Sequence, residues 1–118
     1  MIKKIVKLQG LKEFYTAERC FITELLNTGD LPNFSLAQAK VKPGVTTALH
    51  LLKETDEVYY ILSGTGEMEI DGEIMGIVEE NDLVFIPKNT TQRIKNITEQ
   101  DLLFLCICSP KFEVENYK

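Results

Sequence analysis

His50 is the only histidine in the 118 residues, and Glu57 stands seven positions after it. An imidazole and a carboxylate on one face have two chemical uses. They can be adjacent ligands of a divalent metal, or an acid/base pair in which each charge shifts the other's pKa. A plain cross-strand hydrogen bond also accounts for them. The segment Ala48-Leu-His-Leu-Leu52 runs into a polar turn, Lys53–Asp56, before Glu57-Val-Tyr-Tyr60. A hairpin closing about Lys53–Thr55 with Leu52 facing Thr55 sets His50 directly across from Glu57, with Cβ atoms roughly 4.5–5.5 Å apart. The two-residue period then adds Leu52 to the face of His50 and Tyr59 to that of Glu57. Without a metal, His50 is the expected general base, Glu57 orients and charges it, and Tyr59 donates a proton. That set suits isomerisation or dehydration beside a carbonyl.

These side chains have to be positioned by strands. From about residue 20 the chain reads as short strands separated by turn residues: Cys20–Leu26, Phe34–Val41, Ala48–Leu52, Glu57–Ser63, Glu67–Ile70, Ile74–Val78, Asp82–Pro87, Gln92–Asn96 and Leu102–Ser109. Asp71-Gly72 between two alternating segments is a hairpin signal, because both turn residues must tolerate positive φ. Strands at this spacing predict an all-β sandwich or barrel. Gly10–Arg19 alone has helical character and predicts a short N-terminal helical turn. The reading is one domain over 1–118: a lead-in over 1–19, a core barrel over about 20–110, and an extended, loosely held tail over 111–118. The segments Val58–Leu62 and Leu102–Cys108 are apolar at nearly every position, which predicts cover on both faces, most economically by a homodimer, though a rolled sandwich would also serve.

Composition limits the function classes. Thirteen Lys and Arg against eighteen Asp and Glu give a net charge of −5. That field repels phosphate backbones, so nucleic acid is not an expected partner. The longest apolar run, Leu102–Cys108, is too short to span a bilayer, so no membrane is expected. The N-terminus breaks its apolar residues with lysines and resembles no signal peptide, which predicts a cytoplasmic protein. Cys106 and Cys108 point the same way on one strand, a poor disulfide geometry. With Cys20 they read as buried small hydrophobes. Tyr59 and Tyr60 have a packing reading beside the chemical one. Arg93 follows Gln92, so it should face the opposite side and hold a surface or interface carboxylate.

Gly44, His50, Glu57 and Gly64 fall at the spacing of the first cupin motif: glycine, five residues, His-x-His, four residues, glutamate, six residues, glycine. Pro87 and Asn96 keep the separation of the second motif, with Asn81, Asn89 and Gln92 where it has two glycines and a histidine. Over roughly 34–109 the chain resembles a small single-domain type-2 cupin with a degenerate metal-binding motif. The resemblance implies a cupin, or double-stranded β-helix (jelly-roll), barrel holding a small-molecule ligand such as a sugar or organic acid. It implies enzymes of isomerase, dehydratase or oxygenase type and non-catalytic sensing modules alike. It also implies a divalent transition metal (Zn, Fe, Mn or Ni) held by His50, Glu57 and Gln92. Leu52 and Gln92 stand where the family has its second and third histidines, so that site would be weaker than a full quartet. Gln92 could equally hydrogen-bond His50 and fix its tautomer.

Overall fold

The computed structural model describes residues 3–118. Nine strands follow one another: β1 Phe14–Tyr15, β2 Phe21–Leu26, β3 Ser35–Val41, β4 Asp56–Ser63, β5 Thr65–Ile70, β6 Glu73–Glu79, β7 Leu83–Ile86, β8 Gln92–Asn96 and β9 Leu102–Ser109. They form a six-stranded sheet in the order β1-β2-β3-β9-β4-β7 and a three-stranded sheet in the order β6-β5-β8. Every pairing is antiparallel. The inner faces of the two sheets meet in one core, where Met68 and Ile94 of the small sheet pack with Val41, Ile61, Ile86 and Phe104 of the large one. Among the described residues no helix is long and apolar enough to cross a membrane.

Strand periodicity decides what faces the cavity. On β4 the inward residues are Glu57, Tyr59 and Ile61, and on β8 they are Gln92, Ile94 and Asn96. The register of β3, β9 and β4 lines these up in rows: Ser35, Cys108 and Glu57; then Ala37, Cys106 and Tyr59; then Ala39, Phe104 and Ile61. The rows pass from polar to fully apolar, so the polar end of the barrel sits directly on the core. Asp71 and Gly72 both have positive φ, as the tight β5–β6 turn demands. Asn96, also inward, donates to the carbonyls of Val41 and Gln100 at 2.9 and 2.7 Å and so closes the β8–β9 loop.

Three expectations are corrected. The segment Gly10–Arg19 is not helical: Phe14–Tyr15 pairs with β2, and Tyr15 packs edge-on to Phe21 at 4.9 Å. A ten-residue helix is marginal by itself, and a free sheet edge beside an aromatic pair outweighs it. Ala48–Leu52 makes only isolated bridges, His50 to Gln92 and Leu52 to Tyr117. The hairpin across Lys53–Thr55 therefore does not form, and Glu57 opposes Cys108 and Ile86 instead of His50. At Glu54, with φ 62°, the chain leaves the small sheet and crosses to the large one. The tail is held, not loose. The Lys118 amide donates to the Leu51 carbonyl at 3.0 Å, and the Lys53 amide donates to Asn116 at 2.8 Å.

Candidate functional site

Over the inner face of the large sheet lies a cavity of about 190 Å³ whose walls include Glu18, Cys20, His50, Glu57, Tyr59 and Cys106. His50, Glu57, Tyr59 and Gln92 are all buried. His50 and Gln92 exchange both backbone hydrogen bonds, at 3.2 and 2.7 Å, which sets their side chains side by side at the edge of the small sheet. From there Gln92 reaches across to the large sheet. Its Nε2 donates to Glu57 Oε1 at 2.9 Å, and its Oε1 accepts from the Tyr59 hydroxyl. The other Glu57 oxygen accepts from the Cys108 thiol at 3.7 Å. A neutral amide thus joins a phenol to a carboxyl. Burial raises the Glu57 carboxyl to about 7, with Gln92 opposing and Glu18 adding to the rise. Burial likewise keeps the Tyr59 phenol protonated well above its usual range.

His50 has a different partner from the one expected. Its Nδ1 lies 2.8 Å from the Ala48 carbonyl, which can only accept, so Nδ1 carries the proton. Its Nε2 lies 3.2 Å from Glu18 Oε2. Burial raises Glu18, and His50 partly offsets the rise. Tyr117 from the tail stacks on the imidazole, centroids 4.9 Å apart at 22°, and fixes its plane.

Glu18 is the cavity-wall residue that sequence reasoning missed. It belongs to no strand. The tight loop Thr16–Cys20 holds it: the Thr16 amide and hydroxyl both donate to the Cys20 carbonyl at 2.9 Å. Arg19 in that loop adopts φ 68°, a conformation that costs a non-glycine residue on the order of 1 kcal/mol. Nothing in spacing marks a carboxylate thirty-two positions before its histidine; only the β1–β2 pairing delivers it. Of the other residues singled out, Arg93 faces outward and clasps Glu69 through two nitrogens, each at 3.1 Å. The three cysteines are free. Burial, with the Glu18 charge behind it, pushes Cys20 up to about 11, and the thiols of Cys106 and Cys108 are pushed up as well. They are thiols, not thiolates.

The divalent metal implied by the resemblance has to be tested against these donors. Gln92 offers Glu57 its nitrogen, which is no ligand, while its oxygen is taken by Tyr59. Both nitrogens of His50 are engaged, by Ala48 and Glu18. Among the described residues no group of three or more His, Cys, Asp or Glu side chains is gathered to hold an ion. The set His50, Glu57 and Gln92 does not fit a metal as it is arranged.

Residues 37–108 match the family described as Cupin domain. An uncharacterized protein of Methanocaldococcus jannaschii is 36% identical over 121 residues, which cover 96% of this chain and 93% of that protein. Among solved structures, a tyrosine-to-phenylalanine variant of Streptomyces Pac13 with uridine superposes with a TM-score of 0.82 at 17% identity, covering 100% of this chain and 90% of that one. Pac13 is described as a nucleoside dehydratase. A "predicted oxalate decarboxylase" of Thermotoga maritima follows with a TM-score of 0.79 at 22% identity, covering 91% and 99%. At these identities the likeness shows the fold. With the domain match spanning most of the barrel and a relative aligned nearly end to end, the chain belongs to the cupin family.

Proposed function

We propose that the barrel binds a small polar metabolite and moves a proton on it, as an isomerase or dehydratase acting beside a carbonyl. The observation that carries this reading is the buried relay of Tyr59, Gln92 and Glu57, whose carboxyl sits at about 7. A carboxyl poised near neutrality both takes and returns protons, and a group so placed contributes roughly 10²–10⁴-fold to a rate. Glu57 therefore abstracts the proton next to the carbonyl. Tyr59, kept protonated by burial, turns its one O–H from Gln92 to the oxygen on which charge develops. His50 does not pair with Glu57; clamped by Ala48, Glu18 and Tyr117, it forms the opposite wall and holds Glu18 in place. The expected base and its partner thus exchange weight: the carboxyl does the proton transfer and the imidazole organises the site. Pac13, described as a nucleoside dehydratase on the same fold, supports the reaction class. The chemistry written here needs no metal.

Two further assignments belong to this proposal. The protein works as a homodimer, because the outer face of the large sheet presents Val58, Leu103, Leu105 and Ile107, with Leu83 and Phe85 68% and 60% exposed beside them. It resides in the cytoplasm, a reducing compartment that suits three unpaired thiols.

The test is deuterium exchange. Untagged protein is incubated in D₂O with a panel of aldoses, ketoses and nucleosides, and loss of carbon-bound protons is followed by NMR. Exchange that falls about 100-fold or more in Glu57→Gln and in Tyr59→Phe is the expected result. No exchange on any compound, with thermal stabilisation untouched by either substitution, would leave a binding module. Near-stoichiometric metal by elemental analysis, lost together with exchange in His50→Ala, would replace this chemistry with a metal-centred one.

A further inference from the structure

We propose that the barrel cavity selects an uncharged, hydroxyl-bearing ligand over carboxylates and phosphates, and that Glu18 accepts the hydrogen bond from a ligand hydroxyl. This rests on the small-metabolite reading above and narrows it to a substrate class.

Charge is the first ground. The cavity walls carry three carboxyls, Glu18, Glu24 and Glu57, with a phenol and thiols, and no lysine or arginine is among the lining residues. Four of the chain's cations are committed to carboxylates outside the cavity. Lys40 pairs with Glu13, Arg93 with Glu69, Lys42 with Asp101 and Lys111 with Glu113. The one group in the cavity able to become a cation, His50, already faces a carboxyl at 3.2 Å. An anionic ligand would enter a buried, net-negative space on a chain of net charge −5 without gaining a counter-ion. A buried charge left unpaired is strongly unfavourable, and like charges set side by side are a specificity device in themselves.

Hydrogen-bonding capacity is the second. Glu18 uses Oε2 on His50, while Oε1 has no hydrogen-bond partner among the described residues. Its side chain is 25% exposed against 5% for His50, so of the pair the carboxyl is the part open to a ligand. His50 has no ring nitrogen to spare. A carboxylate oxygen facing a cavity lined by acceptors and weak donors suits a hydroxyl hydrogen. The loop that carries Glu18 spends a left-handed Arg19 to keep it there.

Matched probes test the idea: D-ribose against ribose 5-phosphate, D-galactose against D-galacturonate, and uridine against uridine 5′-monophosphate. Binding is titrated by NMR on the imidazole of His50, whose signals are unique because it is the chain's only histidine. The expected result is that the neutral member of at least one pair binds about 100-fold more tightly than its anionic twin. Glu18→Gln should weaken that neutral probe about tenfold and narrow its advantage over the twin. An anionic probe that binds as tightly as its neutral twin overturns the selectivity; if deuterium exchange then still depends on Glu57, the proton-transfer reading stands. Equal binding in wild type and Glu18→Gln removes Glu18 from the role. Silence from all six probes overturns the selectivity and the ligand-binding reading together.

Discussion

Glu57→Gln should make the protein more stable as the pH rises, relative to wild type. In the fold, burial lifts the carboxyl from its ordinary 4.5 to about 7. Between those values the folded chain still holds the proton that the unfolded chain has released. Stability therefore falls by about 1.4 kcal/mol per pH unit across that window, and levels off above it. Below pH 4.5 both states are protonated and nothing is lost; above pH 7 the whole penalty, about 3 kcal/mol, is in force. Glutamine keeps the shape and the acceptor for Gln92 Nε2, and it does not titrate. Its amide nitrogen would meet the Cys108 sulfur, a weak acceptor, but that cost is the same at every pH. Glu18 is present in both proteins, so its own contribution largely cancels in the difference. Urea unfolding at pH 5, 6, 7 and 8 is the assay. With an m-value of about 2 kcal/mol/M, the variant's midpoint should gain roughly 1–1.5 M on wild type between pH 5 and pH 8. Parallel pH dependences would refute the reasoning: the carboxyl would then ionise as an ordinary glutamate does, and it would not be poised to exchange protons near neutrality.

Two other consequences are simpler to check. Gly64→Ala should cost roughly 3 kcal/mol or more in urea unfolding, while Gly72→Ala should cost about 1 kcal/mol. Both have positive φ, but a Cβ on Gly64 would lie 2.6 Å from the Asp101 carbonyl oxygen and on Gly72 it would meet nothing within 4 Å, so equal costs would contradict this packing. The cavity thiols should react with Ellman's reagent orders of magnitude more slowly in the native protein than in urea, because Cys20 is raised to about 11 and Cys106 and Cys108 are raised too. One fast-reacting equivalent in the native state would reveal a thiolate that this cavity should not contain.

What the sequence made legible was local. The strands Gln92–Asn96 and Leu102–Ser109 lie where their alternation and flanking turns put them, and Asp71-Gly72 turns as its residue types require. Which sheet a strand joins is not local. His50 and Glu57 are seven residues apart, yet one sits against β8 of the small sheet and the other on β4 of the large one. Sequence proximity suggested a hairpin, whereas Lys53–Thr55 is a crossing between sheets. The two ends of the chain were illegible for the same reason. Glu18 and Tyr117 reach His50 from 32 residues before it and 67 residues after it, and neither belongs to any periodic pattern.

Gln92 shows why the departures from the cupin motif are informative in their own right. At a position where the family has a metal-binding histidine, this chain has a side chain with one donor and one acceptor in a fixed plane and no charge. The acceptor end takes the Tyr59 hydroxyl and the donor end supports Glu57. A cation at that point would hold the Glu57 carboxyl below its ordinary range, as ligation does for any carboxylate. A neutral amide leaves burial as the dominant influence, and the carboxyl rises to about 7. Glutamine in place of histidine and a glutamate raised to about 7 thus share one physical cause: the side chain at this position brings Glu57 a hydrogen bond and no charge.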